Sequence, residues 1–399
     1  MSNVIFLHPD LGIGGAERLI VDAALGLKRK GHNIRIITTH HDKNRCFEET
    51  RNGELEVTVV GDWIPRSLFG KFYALMAYIR MIYAAFYIIL SKDLKPDLVI
   101  CDLVAVAVPV LRLKFDVIFY CHYPDQLLSQ PGGSLKSLYR VPLDYLEEIS
   151  TGKANKIFVN SKFTAGVFKN TFKRLAIEPD VLYPSLNTEF FDKSREKSVE
   201  LPDGVIFLSI NRYERKKNLK LALDSFKKLK ELIEPHKWEK VHLLIAGGYD
   251  QRVDENIQHF VELTNLSIEL NIQNKVKFMK SPSDLEKLAL LKNCTCLLYT
   301  PSHEHFGIVP IEAMYMKKPV IAVNNGGPTE TIVNDKTGFL CESSADDFAS
   351  AMSKFVKDDE LSSRFGEAGI KRVIELFSFE NFASKLDEAV KELVERKNK

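Results

Sequence analysis

The chain has 399 residues, with 55 Lys and Arg against 53 Asp and Glu, a formal net charge of +2 and 45% hydrophobic residues. That length exceeds one small core and fits two domains of ordinary size, and the near-balance of charge leaves no overall field that argues for nucleic acid. None of the six cysteines (Cys46, Cys101, Cys121, Cys294, Cys296 and Cys341) falls in a C-x-x-C pair, and most sit in apolar, strand-like runs. This usage predicts buried thiols in a reducing compartment, with neither disulfides nor zinc.

The first residues, MSNVIFLHPD, are apolar for only four positions before His8, Pro9 and Asp10, so they read as a strand over 3–8 and not as a signal peptide. The chain is therefore expected to start in the cytosol. Without a secretion signal, the N-x-S/T matches at Asn265 and Asn293 read as chance. A glycine-bearing loop, DLGIGGAE, follows the first strand; a helix over 15–30 is stopped by Gly31, and a second strand covers 33–39. Such a βαβ unit crosses over right-handed and implies a parallel sheet. Gly12, Gly14 and Gly15 resemble a dinucleotide fingerprint, but Glu17 stands where the third glycine belongs. Glycines in this turn let the backbone approach a ligand closely, so Gly14 and Gly15 are candidate ligand-binding residues; a turn built for packing alone is the alternative.

Residues 72–90, FYALMAYIRMIYAAFYIIL, are interrupted by a charge only at Arg80. The length suffices to cross a bilayer, but a central arginine costs about 2.5–3.5 kcal/mol on insertion scales and tyrosines favour the interface. We expect this segment to lie in a cytosolic leaflet, with Arg66, Lys71, Lys92 and Lys95 meeting head groups; a helix buried against a sheet is the competing reading. Strands at 97–101, 116–121 and 156–160 complete a first doubly wound layer. His122 follows the strand DVIFYC directly, at a carboxyl end, where an imidazole can accept a proton or orient a hydroxyl, although a lone histidine is more often structural.

A second series of strands, at 205–210, 241–246, 275–279, 295–299 and 319–323, begins after a joint near residues 183–188. The expected fold is α/β: two Rossmann-like domains, 1–185 and 186–379, with parallel sheets facing an inter-domain cleft and ligands beyond the carboxyl ends of the strands. Arg212 and Lys217, in NRYERKKN after VIFLSI, are two cations suited to a diphosphate, unless Arg215, Lys216 and Lys217 form one solvated charge run. The loop Gly326-Gly327-Pro328-Thr329-Glu330 follows PVIAV and can bring backbone N–H groups to a ligand.

The run HEHFGIVPIE places Glu304 and Glu312 eight positions apart around a helix start. Gly307 and Pro310 suit a first turn, and the free N–H groups of such a terminus, here at Gly307, Ile308 and Val309, attract phosphate. Ile308, Ile311, Glu312, Tyr315 and Met316 share a face, which puts Glu312 among apolar neighbours. A solvated Glu304 and an ordinary helical Glu312 are the plainer reading. No D-x-D triplet occurs, so the usual ligands for a metal-held nucleotide sugar are missing.

Together, His122, Arg212, Lys217, the Glu304/Glu312 pair and the GGPTE loop resemble the retaining glycosyltransferases of the two-Rossmann (GT-B) type, family 4, with an E-x7-E motif. The match covers nearly the whole chain. The strings HPDLGIGGAERL, YCHYPD, DVLYPSLN, SINRYERKKNL and YTPSHEHFGIVPIEAMYM are similar to the eukaryotic α-1,3/1,6-mannosyltransferases that extend dolichol-diphosphate-linked oligosaccharide by its second and third mannoses. That resemblance implies GDP-mannose as donor, a dolichol-diphosphate-linked acceptor, no metal or other cofactor, the cytosolic face of the endoplasmic reticulum membrane, and association with other early mannosyltransferases of the pathway. It assigns Glu312 to the ribose, Glu304 and His122 to the mannose, Gly307, Ile308 and Val309 to the diphosphate, and Arg212 and Lys217 to the departing GDP. Gly14, Gly15, Gly326 and Gly327 join the donor site. A last helix, 380–399, is expected to return to the first domain. A UDP-sugar donor, an NAD-dependent oxidoreductase and a non-catalytic membrane scaffold are the competing functions.

Overall fold

The structure is a computed structural model that describes residues 1–128, 134–193 and 199–397. Two compact units divide the chain: Met1–Ser185 with Phe379–Lys399, and Leu186–Ser378. Residues 398 and 399 of the expected last helix lie outside the described residues.

In the first unit, seven parallel strands run in the order β3-β2-β1-β4-β5-β6-β7: β1 Asn3–His8, β2 Asn33–Thr38, β3 Glu56–Val59, β4 Leu98–Asp102, β5 Asp116–Cys121, β6 Lys156–Val159 and β7 Asp180–Val181. The second unit repeats the plan with six, in the order β10-β9-β8-β11-β12-β13: β8 Val205–Ile210, β9 Val241–Gly247, β10 Val276–Lys280, β11 Cys296–Tyr299, β12 Val320–Val323 and β13 Gly338–Cys341. The central strands are buried on both faces, which is why they read as unbroken apolar runs. Strands β3, β7 and β13 escape the sequence reading. They are short, close the outer edges of their sheets, and carry exposed or half-exposed positions that weaken the apolar signal.

Each sheet reverses direction once, between β1 and β4 in the first unit and between β8 and β11 in the second. At such a switch point, the loops after two neighbouring strands diverge to opposite faces and leave a crevice at their carboxyl ends. The polar residues of interest gather at these two places.

Helix Tyr73–Leu90 is divided between a buried and an exposed face. Tyr78, Met81, Ala84, Ala85 and Ile88 pack into the core of the first unit. Arg80, 5% exposed, also turns inward, where its guanidinium donates to Asp62 at 3.0 Å and to the Thr39 carbonyl. The opposite face leaves Ile79, Tyr83, Phe86, Tyr87 and Leu90 exposed, and Trp63, itself exposed, meets Tyr83 edge to face at 5.7 Å. The helix is long and apolar enough to cross a membrane, yet 39% of it is buried.

Helix Phe379–Lys397 packs along helix Gly15–Arg29. Phe382, Leu386, Ala389, Val390 and Leu393 join one core with Leu19, Ala23 and Leu27. The backbones approach closely: a Cβ added at Gly26 would stand 2.8 Å from that of Ala383. Beside this apolar seam, His32 and Asp387 pair at 2.8 Å. Leu386 is 3% exposed, so Leu386→Ala should destabilise the first unit by about 2–5 kcal/mol, whereas Glu388→Ala on the exposed face should stay within about 0.5 kcal/mol. Denaturant titration separates the two, and equal effects would contradict the packing described.

Candidate active site

In the second unit the site grows from the loop after β11. Gly307 takes φ 80° and is the N-cap of helix Ile308–Tyr315. Its conformation favours glycine, and so does its space, because a Cβ there would lie 3.0 Å from the Tyr299 hydroxyl. The helix therefore begins with no side-chain cap over its first N–H groups. Glu304, three residues earlier and partly buried, receives the Lys217 ammonium at 2.5 Å. Lys217 ends the short turn Arg215–Lys217 after β8, and its backbone carbonyl accepts from the Thr300 hydroxyl at 2.7 Å. The loops after the two adjoining strands are thus tied twice. Tyr299, 3% exposed, is pushed well above the usual phenol range by burial first and then by the charge and hydrogen bond of Glu304. It stays protonated and meets the same carboxylate as a donor.

Glu312 stands one turn into the helix and is 9% exposed. Its neighbours Ile311, Ala313 and Met314 are fully buried, as the apolar surroundings read from spacing require. The spacing does not reveal its cation. Lys287, on helix Asp284–Asn293, lies 2.7 Å from one carboxylate oxygen and 2.6 Å from the other. Ile308 is exposed and Val309 partly so, which leaves the start of the helix accessible.

The two predicted cations do not share a partner. Lys217 turns inward to Glu304, while Arg212, with a side chain 62% exposed, pairs with Glu214 at 2.9 Å. The surface charge run is real but shorter than feared: Arg215 pairs with Glu262 and Lys216 with Glu214. Gly326 and Gly327 also behave differently from the expectation of a loop open to a ligand. The Gly327 N–H donates to the Glu304 carbonyl at 2.8 Å, and a Cβ at Gly327 would stand 2.3 Å from the Phe306 carbonyl oxygen. Their small size lets backbone meet backbone, so they support the acidic loop from behind.

In the first unit, His122 is joined to residues that the sequence reading missed. His8 closes β1 and Asp102 closes β4, the neighbours across the switch point. Asp102 Oδ1 lies 2.7 Å from His8 Nδ1, and Asp102 Oδ2 lies 2.9 Å from His122 Nε2. His8 Nε2 reaches the Asp10 carbonyl at 3.0 Å. Burial alone would raise the Asp102 pKa, but the charges and hydrogen bonds of the two histidines outweigh it and hold the carboxyl below the usual range. Burial likewise pulls His8 down, and Asp102 reverses it, so His8 is raised. The signal available in the sequence was a histidine and an aspartate ending two apolar strands, VIFLH and LVICD. Nearby, Gly14 makes room for Glu17, whose carboxylate would lie 2.2 Å from an added Cβ, while Gly15 faces open space. All six cysteines are free thiols, and among the described residues no group of three or more His, Cys, Asp or Glu is placed to hold a metal ion.

Comparison with known proteins follows these two units closely. Residues 13–190 match the Glycosyltransferase Family 4 model and residues 190–372 the Glycosyl transferases group 1 model. The chain is 50% identical over 402 residues to the α-1,3/1,6-mannosyltransferase ALG2 of Mus musculus, covering 98% of this chain and 96% of that one. The Homo sapiens ALG2 gives the same identity and coverage. Among solved structures, sucrose-phosphate synthase from Thermosynechococcus elongatus superposes with a TM-score of 0.76 at 20% identity, covering 99% of this chain and all of that one, a likeness of fold. Half of all positions being shared over nearly the full length, the chain belongs to the ALG2 family of α-1,3/1,6-mannosyltransferases, glycosyltransferases of the GT-B fold.

Proposed function

We propose that this protein transfers mannose from GDP-mannose to Man1GlcNAc2-diphosphodolichol in an α1,3 linkage and then to the product in an α1,6 linkage, with retention, during N-glycan precursor assembly. The observation that carries the reading is the Lys217–Glu304 ion pair held just before an uncapped helix start, in a member of this family. Glu304 takes the mannose hydroxyls, Glu312 the ribose, and the N–H groups of Gly307, Ile308 and Val309 the diphosphate. An ammonium has three donors, so Lys217 can hold Glu304 and a phosphate oxygen together. It thereby supplies charge to the departing GDP, with Arg212 as a more exposed second cation. His122 meets the mannose. The acceptor hydroxyl attacks on the face that the diphosphate leaves, and a leaving phosphate oxygen takes its proton. This scheme assigns the diphosphate charge to cations and a helix N-terminus, with no metal.

A dolichol chain stays in its bilayer, so the enzyme must come to the acceptor. The exposed face of helix Tyr73–Leu90, flanked by the exposed Lys71, Lys92 and Lys95, suits the cytosolic surface of the endoplasmic reticulum membrane. Other early mannosyltransferases of the pathway are the partners we propose there.

Incubation with GDP-mannose and a synthetic lipid-linked trisaccharide should yield α1,3 and then α1,6 products, with GDP competing better than UDP. Tighter competition by UDP, or other linkages, would overturn the reading. Lys217→Ala should lower kcat by about 10²–10³, the scale of a removed charge donor, and more than Arg212→Ala does. Glu304→Gln should depress kcat while shifting Tm by no more than about 2–4 °C; normal turnover with a large Tm loss would make Glu304 structural. Replacing Tyr83, Phe86 and Leu90 with serine should release the protein from liposomes, and persistent sedimentation with them would refute this anchor.

A further inference from the structure

Both ring nitrogens of His8 face groups that only accept: the carbonyl of Asp10 at 3.0 Å and the carboxylate of Asp102 at 2.7 Å. A neutral imidazole has one N–H and would set acceptor against acceptor at one of these contacts, so His8 carries both protons. His8 and Asp102 are each 0% exposed, and the imidazolium balances the carboxylate inside the fold. The second oxygen of Asp102 is then also an acceptor, and it faces His122 Nε2 at 2.9 Å. Nε2 of His122 must therefore carry an N–H, and in the neutral ring the lone pair lies at Nδ1. Two further contacts fix the residue. The His122 backbone carbonyl accepts from Asn160 Nδ2 at 3.0 Å, and its ring packs on Tyr120 with centroids 4.8 Å apart. Its side chain is 17% exposed, the only one of the three with an outward edge.

We infer that His8 and Asp102 are positioning residues that hold His122 as the Nε2–H tautomer, so that it meets the transferred sugar through Nδ1 as an acceptor from a hydroxyl. This rests on the reading that His122 contacts the sugar. The carboxylate does for the imidazole what a hydrogen-bonded acid does for a metal-bound histidine: it fixes the tautomer and the ring plane. Three neighbouring elements contribute, the carboxyl ends of β1, β4 and β5. The sequence separations are 94 residues from His8 to Asp102 and 20 from Asp102 to His122.

The test uses the full-length protein with nitrogen-15 in its histidines. Long-range proton–nitrogen spectra at neutral pH should show His8 protonated at both nitrogens and His122 protonated at Nε2 alone. A neutral His8, or an N–H on His122 Nδ1, overturns the proposal without any variant. Asp102→Asn presents an N–H to His122 and should move its proton to Nδ1, lowering kcat by about 10–100-fold with a smaller change in donor KM. In the His122→Ala background the same change should cost nothing more; an undiminished further loss would mean a structural role and overturn the proposal. Full turnover in His122→Ala alone would instead remove the reading of His122 on which the proposal rests, a result distinct from the tautomer spectra.

Discussion

The ion pair between Lys217 and Glu304 is the interaction on which the second unit's site depends. Its partners lie 87 residues apart in the chain, yet the reversal of strand order makes β8 and β11 neighbours, so the loops that follow them emerge side by side. A cation and an anion on adjoining loop starts lock the two against each other. The pair is only partly screened from water, with side chains 14% and 23% exposed. Such a pair retains Coulomb attraction without the full desolvation cost of a deeply buried one, and it still leaves an edge open to a ligand. The same loop is braced from behind by Gly327, where any side chain would displace Phe306.

The first unit solves an equivalent problem with different chemistry. At its own switch point an aspartate is enclosed between two imidazoles, and no lysine or arginine is needed because His8 carries the compensating charge. In both units the charged residues sit at strand ends, where the apolar requirement of a sheet covered on two faces lapses. That placement lets the sheet interior remain largely hydrophobic while its carboxyl edge stays polar. Stability and chemistry therefore occupy successive positions of the same strand, as in NVIFLH, where five core residues or their flank lead to a buried imidazole.

How much of this was legible depends on whether the signal was local. The strands over 3–8, 116–121 and 205–210 could be read to the residue, because each holds an unbroken run of four or five apolar residues. The edge strand GFLC could not, because four residues ending at an exposed turn carry too little pattern. Glu304 and Glu312 were visible as a motif on one helix start, but their ion pairs were not: Lys217, picked out for a diphosphate, and Lys287, an ordinary lysine in sequence, come from other elements. Arg212 adjoins a buried strand, yet its side chain turns outward while Lys217 turns in. His122 was picked out by its place after a strand, and Asp102 was passed over although it shares that property. A carboxylate ending an apolar strand is easily taken for the start of a solvated loop, and only its neighbour across the sheet shows otherwise.

Helix Tyr73–Leu90 shows why composition alone cannot assign such a segment. A hydropathy window averages all sides of a helix, whereas burial divides them. Here the side holding Met81, Ala84, Ala85 and Ile88 serves the core, and the side holding Ile79, Tyr83, Phe86 and Leu90 remains apolar and exposed, with Trp63 against Tyr83. Arg80, the residue that made a transmembrane reading costly, is accounted for by the protein itself through Asp62 and the Thr39 carbonyl. Its charge therefore bears on how the helix is held, and it sets no penalty on the outward face. A helix so anchored would unfold part of the first core if it were pulled across a bilayer, since the same backbone carries both faces. An apolar surface fixed to a folded core in this way can lie on a membrane interface without leaving the protein, and the tyrosines at its edge suit that depth.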